Sequence, residues 1–479
     1  MTLPNVNHNI QDGALGVSVN DISGLQVKIG VSSQGEKNKI LIFSSDDPGK
    51  VKDILGTGPL VNAIFDSFSA GANTIYAIRA EEGTAGSIGS INSDSGNTGL
   101  SDITASGNPA DEYEVVIEIL DSGGLNEATF RYSLDGGDTF SAKLTVPSEG
   151  DYLIPGTGIT ITFPEDTTTP SDSYKEGDKW TLKTEAPVPS VGTVGTAIDV
   201  ALQSNYEFEF IHIVGESDSA MWAALDTKAT EAEAHYRFIH FVAEAYGPDE
   251  GEDIDTWVNR LLDERSSFSS VRVSVSAGRL EIADPNSGQI IERNGAGKYT
   301  GRLSSIHVGR SPGRVKDGSI PGAVEIRPKG INSGHIDALD QAGYITFRGY
   351  EGYEGIYVTN GRMMAPEGSD YSYVELRRPM DKACRNTRKK ALLYMQDEVE
   401  INEAGEIVGL DNFQAHVQQA IDEMADASPK EISSGSIYIP KDQNLLSTSE
   451  LKGKIRIVPL AIMREIIFDI AYENPFLAR

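Results

Sequence analysis

Residues 55–80 read LGTGPLVNAIFDSFSAGANTIYAIRA and contain the clearest signal of the fold class. Pro59 suits the first position of a helix, because its missing N–H would have no partner there. Apolar residues recur every four positions from Leu60 to Phe68, which gives this helix one apolar face. Gly71 can end the helix in the left-handed conformation, and TIYAIRA then follows as a strand. The stretch therefore predicts a helix packed on a strand, which is a unit of an α/β layer.

The glycine turn before this helix resembles a phosphate-binding loop, but its details argue against one. In GTGP (56–59), the proline removes a backbone donor, and the third glycine of the dinucleotide fingerprint is missing. NGAGKYT (294–300) fails the P-loop pattern as well, because Glu292 replaces a required glycine and Tyr299 replaces Ser or Thr. We therefore expect no nucleotide site and no cofactor.

The composition indicates an acidic, folded protein. Asp and Glu number 71 against 41 Lys and Arg, which gives a net charge of −30 and argues against nucleic acid as a partner. Cys384 is the single cysteine, so no intrachain disulfide can form, and we expect an inert thiol. Because neither a signal-peptide pattern nor an apolar run of about 20 residues is present, we expect folding in a cytoplasm without membrane insertion.

The chain divides by composition and periodicity into an α/β core interrupted by a β-rich part. Residues 81–110 are rich in Gly, Ser, Asn and Thr and lack periodicity, which is typical of a linker. Residues 111–186 contain short strands and the hairpin signal SLDGGD, which predict a self-contained β module. The predicted segments are an N-terminal arm (1–24), the first core part (25–80), the linker (81–110), an inserted all-β domain (111–187), a second α/β part (188–345), a C-terminal α/β part (346–451) and a C-terminal arm (452–479).

The second half of the chain continues the α/β pattern. The near-continuous apolar segments FEFIHIVG, RFIHFVAEA and SVRVSV alternate with the helical segments DSAMWAALDTKATEAEAH and DIDTWVNRLLDERSS. Strands of this kind separated by helices predict a mixed sheet covered on both faces. Two further helices are expected at about 379–398 and 410–427.

The sequence carries no recognisable catalytic or metal-binding pattern. His212 and His240 lie in apolar strands, which favours interior histidines over ligands, and His235 and His240 are five positions apart instead of four. The acidic run PDEGEDID (248–255) lacks the order of a calcium loop, and no G-x-S-x-G elbow is present. We therefore expect a protein that is not an enzyme and has no metal site.

A basic cluster between Arg377 and Lys390 stands out against the acidic background. If a helix starts at Pro379, then Lys382, Arg385 and Lys389 share one side. Two interpretations stay open: a solvated helix face, or a docking surface for an acidic partner.

Both ends of the chain are β-prone, over residues 13–31 and 452–470, although chain ends are usually polar. Such segments either complete the chain's own sheet or add strands to the sheet of a neighbour. The candidate arm residues are Val17, Val19, Val27, Ile29, Ile455, Ile457, Val458, Ile466, Ile467 and Phe468.

Four stretches together resemble the contractile tail sheath proteins of bacteriophages, prophages and phage-tail-like particles. They are the opening LGTGPL to TIYAIRA segment, DQAGYITFRGYEGYEGIYVTNGR, YSYVELRRPMDKACRNTRKKAL and IRIVPLAIMREIIFDIAYENPF. Two departures indicate a divergent branch: ALGVSVND replaces a PGVY-like start, and Tyr371 and Tyr373 replace a tryptophan before the paired arginines.

This resemblance implies a structural subunit that forms hexameric rings stacked helically around an inner tail tube. The terminal arms would add strands to neighbouring subunits, and contraction would drive the tube through a cell envelope. The implied partners are further copies of the chain, the tail tube protein, and baseplate and tail terminator proteins. Assembly would occur in the bacterial cytoplasm, with the product in a virion tail or tail-like particle. The resemblance makes Arg378, Lys382, Arg385 and Lys389 a candidate tube-facing basic helix and places the β domain outside.

Two alternatives from other classes stay open at this point. One is an enzyme with an α/β core and a β accessory module. The other is a baseplate or adhesive component, in which the β module would bind a host glycan.

Overall fold

The computed structural model describes residues 22–249 and 251–473, so that the candidate arm residues Val17 and Val19 lie outside the described part. Its α-helices are α1 (Gly49–Leu55), α2 (Pro59–Ser69), α3 (Val191–Gln203), α4 (Ser219–Ala234), α5 (Ile254–Ser266), α6 (Ala296–Ser305), α7 (Ser333–Ala342), α8 (Val374–Leu392), α9 (Leu410–Ala425) and α10 (Leu445–Thr448). Short 3-10 helices lie at Pro170–Asp172 and Val315–Asp317.

A seven-stranded mixed sheet forms the centre of the described residues. Its strands are β1 (Gln26–Gly30), β2 (Ile40–Ser44), β3 (Thr74–Arg79), β15 (Phe210–Ser217), β16 (His240–Ala245), β17 (Val273–Ser276) and β21 (Tyr344–Ile345), in the order β2-β3-β1-β15-β16-β17-β21. All neighbours are parallel except β2, which runs antiparallel to β3. The mixed sheet predicted from the alternating segments is present.

Helices cover both faces of this sheet, because successive strand residues point to opposite sides. On one side, Ile211 and Ile213 pack in a cluster that includes Trp222 of α4 and Trp257 of α5. On the other side, α2 and α6 cover the sheet, and Leu60 of α2 is fully buried. The helix predicted from the opening stretch is α2, with its proline at the first helical position.

The β-rich part contains two antiparallel sheets with a hydrophobic cluster of their own. The larger sheet contains β5 (Ser87–Ile88), β6 (Asn92–Ser93), β8 (Glu114–Asp121), β9 (Thr129–Ser133), β10 (Leu144–Thr145) and β13 (Lys179–Glu185). The smaller one contains β7 (Thr104–Gly107), β11 (Asp151–Ile154) and β12 (Ile159–Thr162). Directly outside them, β4 (Glu82–Thr84) pairs antiparallel with β14 (Val188–Pro189).

Residues 81–110 differ from the linker predicted for them. They supply β4 to β7, and Ile103 is buried in the hydrophobic cluster of the β-rich part. These strands are two to four residues long, which is too short for a period-2 pattern to be visible in the sequence. The Gly and Ser content alone therefore indicated a linker.

The remaining strands form small sheets around the second half of the chain. One contains β18 (Arg279–Ala283), β19 (Ile290–Asn294) and β20 (Ala323–Arg327); a hairpin contains β22 (Phe347–Tyr350) and β23 (Tyr353–Val358); and the C-terminal pair is β24 (Ser434–Tyr438) and β25 (Lys454–Val458). The C-terminal pair packs on α9 through Ile437, which shares a cluster with Val417 and Ile421.

Helix α8 begins at Val374, five residues before the predicted start at Pro379, so that the proline lies inside the helix. The N–H groups of Leu376 and Arg377 both donate to the carbonyl oxygen of Tyr373. An ion pair between Arg377 and Asp381 spans the proline from one turn to the next and helps the helix to continue through it.

Candidate assembly surfaces

The glycine turn of the opening stretch is hydrogen-bonded to other parts of the chain. The N–H of Leu60 donates to the carbonyl of Val31 at 3.0 Å, and the N–H of Thr57 donates to Ser33 Oγ at 2.9 Å. Thr57 Oγ1 donates to the carbonyl of Gly156, at 3.1 Å, in the β-rich part. A Cβ at Gly58, whose φ is +123°, would lie 3.1 Å from the carbonyl oxygen of Ala110. The turn therefore packs against the β-rich part and is hydrogen-bonded to it.

The second glycine motif, NGAGKYT, also has a packing role. A Cβ at Gly297 would lie 2.9 Å from Cβ of Asp66, and one at Gly301 would lie 2.5 Å from the carbonyl oxygen of Ser67. These two glycines therefore let α6 approach α2 closely. Lys298 donates to Ser69 Oγ at 2.6 Å, which places this lysine against α2.

The two strand histidines are both interior, as expected, but they differ in their hydrogen bonding. His212 Nδ1 lies 2.7 Å from Lys28 Nζ, and its Nε2 lies 2.9 Å from Glu244 Oε1. Burial lowers the pKa of Lys28 to about 7 and raises that of Glu244 to about 7. Neither ring nitrogen of His240 has a hydrogen-bond partner among the residues that the structure describes. Among residues 22–249 and 251–473, no group of three or more His, Cys, Asp or Glu side chains could hold a metal ion.

The candidate basic helix is largely buried, which corrects its prediction as a tube-facing surface. Arg378 has no exposed surface and donates to both carboxylate oxygens of Glu209, at 2.7 and 2.9 Å. Although burial opposes the charge, Arg378 holds the pKa of Glu209 below its usual value. Lys382 is also buried and pairs with Glu431 at 2.6 Å.

The other two residues of the basic helix divide between interior and surface. Arg385 is half-buried and donates to the carbonyl of Phe238 at 2.8 Å. Only Lys389 of the four is exposed, and it pairs with Glu207 at 2.8 Å. The predicted helical spacing was correct. The side of the helix that was interpreted as solvent-facing, however, carries the buried ion pair of Lys382, and only Lys389 at its end is exposed.

Two of the N-terminal candidate arm residues, Val27 and Ile29, lie in the core. They belong to β1, which pairs with β3 on one side and β15 on the other. Their side chains are 1% and 0% exposed. Because β1 has no free edge, these residues complete the chain's own sheet, and their assignment to an arm is corrected.

Five of the six C-terminal candidates are exposed, whereas Ile457 is half-buried against the hydrophobic cluster on α9. Ile455, Ile457 and Val458 belong to β25, which among the described residues pairs only with β24. Beyond this strand, residues 459–473 form no helix or strand. Ile466, Ile467 and Phe468 are 64%, 76% and 78% exposed, so an apolar surface segment follows this two-stranded sheet.

Sequence reasoning missed the side chains that attach this segment to the rest of the subunit. Arg464 pairs with Glu375 and lies over the ring of Tyr373. Arg464 and Glu375 are 89 residues apart, and such a long-range pair cannot be recognised in one sequence.

Residues 3–362 match the N-terminal domain of DUF2586, and residues 370–477 match its C-terminal domain. The chain belongs to the DUF2586 family. A curated protein of Haemophilus phage HP1 (strain HP1c1), whose name describes the tail sheath, is 28% identical to this DUF2586 protein over 172 residues. The match covers 34% of this chain and 46% of that protein, so the chain spans about half the length of the curated relative.

Solved structures share the fold of this DUF2586 protein along nearly its whole length. A chain of the PVC sheath complex, from an extracellular contractile injection system in its contracted state, matches with a TM-score of 0.55, 10% identity and coverage of 99% of this chain and 98% of that one. The contracted helical sheath of the anti-feeding prophage matches with a TM-score of 0.51, 12% identity and coverage of 99% and 100%. The resemblance to contractile tail sheath proteins that the sequence predicted is confirmed. For the solved structures, sequence identities of 10% and 12% show the shared fold alone.

Proposed function

We propose that this DUF2586 protein is the structural subunit of a contractile tail sheath. It assembles as stacked hexameric rings around an inner tail tube, and contraction drives the tube through a bacterial cell envelope. The observation that carries the proposal is the two-stranded β24–β25 sheet, which is followed by an exposed apolar C-terminal segment. This feature occurs in a chain that shares the fold of contractile sheath proteins.

A two-stranded sheet is marginal by itself, and further strands stabilise it. Within the part of the chain that the structure describes, β24 and β25 each have one unpaired edge, which can accept an extended segment through backbone hydrogen bonds. The segment after β25 exposes several large apolar side chains, a feature that marks an interaction site. Those with at least 64% exposure are Met463, Ile466, Ile467, Phe468, Ile470 and Tyr472. We infer that the C-terminal segment of one copy pairs with the sheet of another.

Pairing between backbones suits a lattice that contracts. Ladder hydrogen bonds tether two subunits through the chain itself, so that the packed cores can reorient while the tether persists. The function is mechanical and non-catalytic, with further copies of the chain, the tail tube, and baseplate and tail terminator proteins as partners. Assembly takes place in the host cytoplasm, and the product belongs to a virion tail or a tail-like particle.

We also propose that residues 85–187 are an inserted all-β domain that faces away from the tube. Entry strand β4 and exit strand β14 pair with each other, Thr84 opposite Val188, so that the chain leaves and re-enters the core at one place. The separate hydrophobic cluster of this part supports independent packing.

A matched pair of surface variants tests the role of the C-terminal segment. The arm variant carries Ile467→Ser and Phe468→Ser, and the control carries Leu100→Ser and Leu153→Ser, which are 59% and 60% exposed in the β-rich part. Sedimentation velocity should find the arm variant monomeric at concentrations where the wild type and the control form large assemblies. Equal assembly of both variants would contradict the proposal.

A baseplate component is the second candidate, because a chain of the anti-feeding prophage baseplate also shares this fold, with a TM-score of 0.54, 11% identity and coverage of 99% and 100%. A baseplate subunit should stop at a single ring, whereas a sheath subunit should form cylinders of variable length. Electron microscopy of the assembled protein separates these two candidates.

A further inference from the structure

Arg464 attaches the root of the C-terminal segment to the body of the subunit. Its Nη2 donates to Oε1 of Glu375, and its Nε donates to Oδ1 of Asn360 at 3.3 Å. Its guanidinium carbon lies 3.4 Å from the centre of the Tyr373 ring. We name these four residues the Arg464 clasp.

Two further residues brace the clasp. Asn360 Nδ2 donates to both carboxylate oxygens of Asp340, at 3.1 and 3.0 Å. Arg362 pairs with the same carboxylate at 2.7 Å, and its guanidinium carbon lies 4.7 Å from the centre of the Tyr373 ring. Asp340, Asn360 and Arg362 belong to the N-terminal DUF2586 domain, whereas the other clasp residues belong to the C-terminal one. The clasp therefore lies at the junction of the two domains.

Arg464 also compensates a buried charge. The side chain of Glu375 is 1% exposed, and burial raises the pKa of its carboxyl, while the charge of Arg464 acts in the opposite direction. Glu375 lies in the first turn of α8, so the clasp joins the root of the segment to the start of that helix. Loss of the arginine would leave the carboxyl buried without this cation.

The position of Arg464 along the chain gives the clasp its significance. In the described part, which ends at residue 473, it is the last residue with a hydrogen bond, ion pair or ring contact to another described residue. The apolar segment that starts at Ile466 follows two positions later. The clasp thus separates an attached part of the chain from a protruding one.

We propose that the Arg464 clasp is a positioning device, which fixes the point and direction at which the C-terminal segment leaves its own subunit. The inference rests on the proposed sheath function and adds to it how the segment is presented to a second copy of the chain. A fixed root reduces the conformational entropy that is lost when the segment pairs with a neighbour. Because the clasp joins both domains, it also transmits a pull on the segment to each of them.

Arg464→Ala tests the clasp, and Arg456→Ala is its matched control. Arg456 is an exposed cation in β25, the strand that precedes the C-terminal segment, and it makes no ion pair with another described residue. In the unassembled subunit, chymotrypsin should cleave after Phe468 about fivefold faster in Arg464→Ala than in the wild type, because the segment root is released. The critical concentration for assembly should rise about tenfold. Arg456→Ala should leave both values unchanged.

A second variant separates positioning from stability. Arg464→Ala combined with Glu375→Gln removes the buried carboxylate, so its thermal midpoint should recover toward that of the wild type. Rapid cleavage and the raised critical concentration should both persist, because the segment root is still free. If the cleavage rate and the critical concentration returned to their wild-type values together with the thermal midpoint, the positioning role would be overturned. Arg464 would then have a structural role alone.

The cleavage rate and the critical concentration also distinguish a failure of the clasp proposal from a failure of the proposed sheath function. Wild-type protein that never assembles would overturn the proposed function, while unchanged cleavage rates in the Arg464→Ala monomer would overturn the clasp alone. Faster cleavage with an unchanged critical concentration would show a clasp that holds the segment without guiding assembly, which also contradicts the proposal.

Discussion

Arg378 has no exposed surface, and its guanidinium meets Glu209 through two hydrogen bonds deep between α8 and the central sheet. The helical spacing of the sequence places it near other cations, from which a solvent-facing basic ridge was predicted. The spacing could not show that acidic partners 49 to 182 residues away lie opposite these cations. A charge on a helix therefore does not identify its exposed side until its partners are known.

Arg378→Met should lower the free energy of unfolding by about 3–5 kcal/mol, because Glu209 would stay buried without its cation. Lys389→Met is the control on the same helix: its pair with Glu207 is exposed, and the loss should stay within about 1 kcal/mol. Urea unfolding of the monomeric protein measures both. Equal losses would contradict the distinction between the buried and exposed ends of this helix.

His240 gives a prediction for pH. Burial lowers its pKa from 6.5 to about 4, and its ring stacks on Phe210 with 5.3 Å between the centres. Between these two pH values the unfolded chain binds a proton that the folded chain does not, so stability should fall as the pH is lowered from 6.5 to 4. The loss from this residue is about 3 kcal/mol.

His240→Phe should remove this part of the pH dependence, while His235→Gln, at an exposed position, should retain it. Urea unfolding at several pH values between 4 and 7 checks the slope. Parallel curves for the wild type and His240→Phe would show that His240 is not the group that titrates.

At the scale of elements, long periodic segments were predictable, and the packing between them was not. The strands β15, β16 and β17 and the helices α4 and α5 follow from the alternation of near-continuous apolar segments with helical segments in the sequence. The two glycine motifs contact parts of the chain that are distant in sequence. The close approach of α6 to α2 depends on backbone atoms that no local pattern shows.

Gly301→Ala should destabilise the protein by about 1–3 kcal/mol, because its Cβ would lie 2.5 Å from the backbone oxygen of Ser67. Gly195→Ala in α3 is the matched control. The nearest atom to its Cβ is 4.0 Å away, so the substitution should stabilise the helix by about 0.5–1 kcal/mol. Opposite shifts of the thermal midpoint are the expected result. A loss at both positions would refute the close-packing role.

At the scale of the whole molecule, the α/β core was predicted from the sequence, whereas the limits of the β-rich part were not. Its first strands are short and polar, and Ile103 is the main buried residue among them. Similarly, the C-terminal segment was recognised by its apolar character, but its anchor at Arg464 depends on contacts across the domain junction.

Excision of the β-rich part tests these limits. Residues 85–187 replaced by an Asn-Gly turn should leave a folded, assembling core, because Thr84 and Val188 already face each other in an antiparallel pair. Removal of residues 85–110 alone should instead disrupt the remaining β-rich part, which would lose strands and Ile103. If near-UV circular dichroism showed a well-folded product after the shorter deletion, residues 85–110 would be a linker.

The central claim is that many copies of this chain join through their C-terminal segments into a sheath. Cryo-electron microscopy of the purified, assembled protein tests it most directly. We expect hollow cylinders of stacked six-membered rings, with residues 465–473 of each copy lying against the β24–β25 sheet of a neighbour. Strict monomers at high concentration, or cylinders in which this segment folds back on its own subunit, would contradict the account.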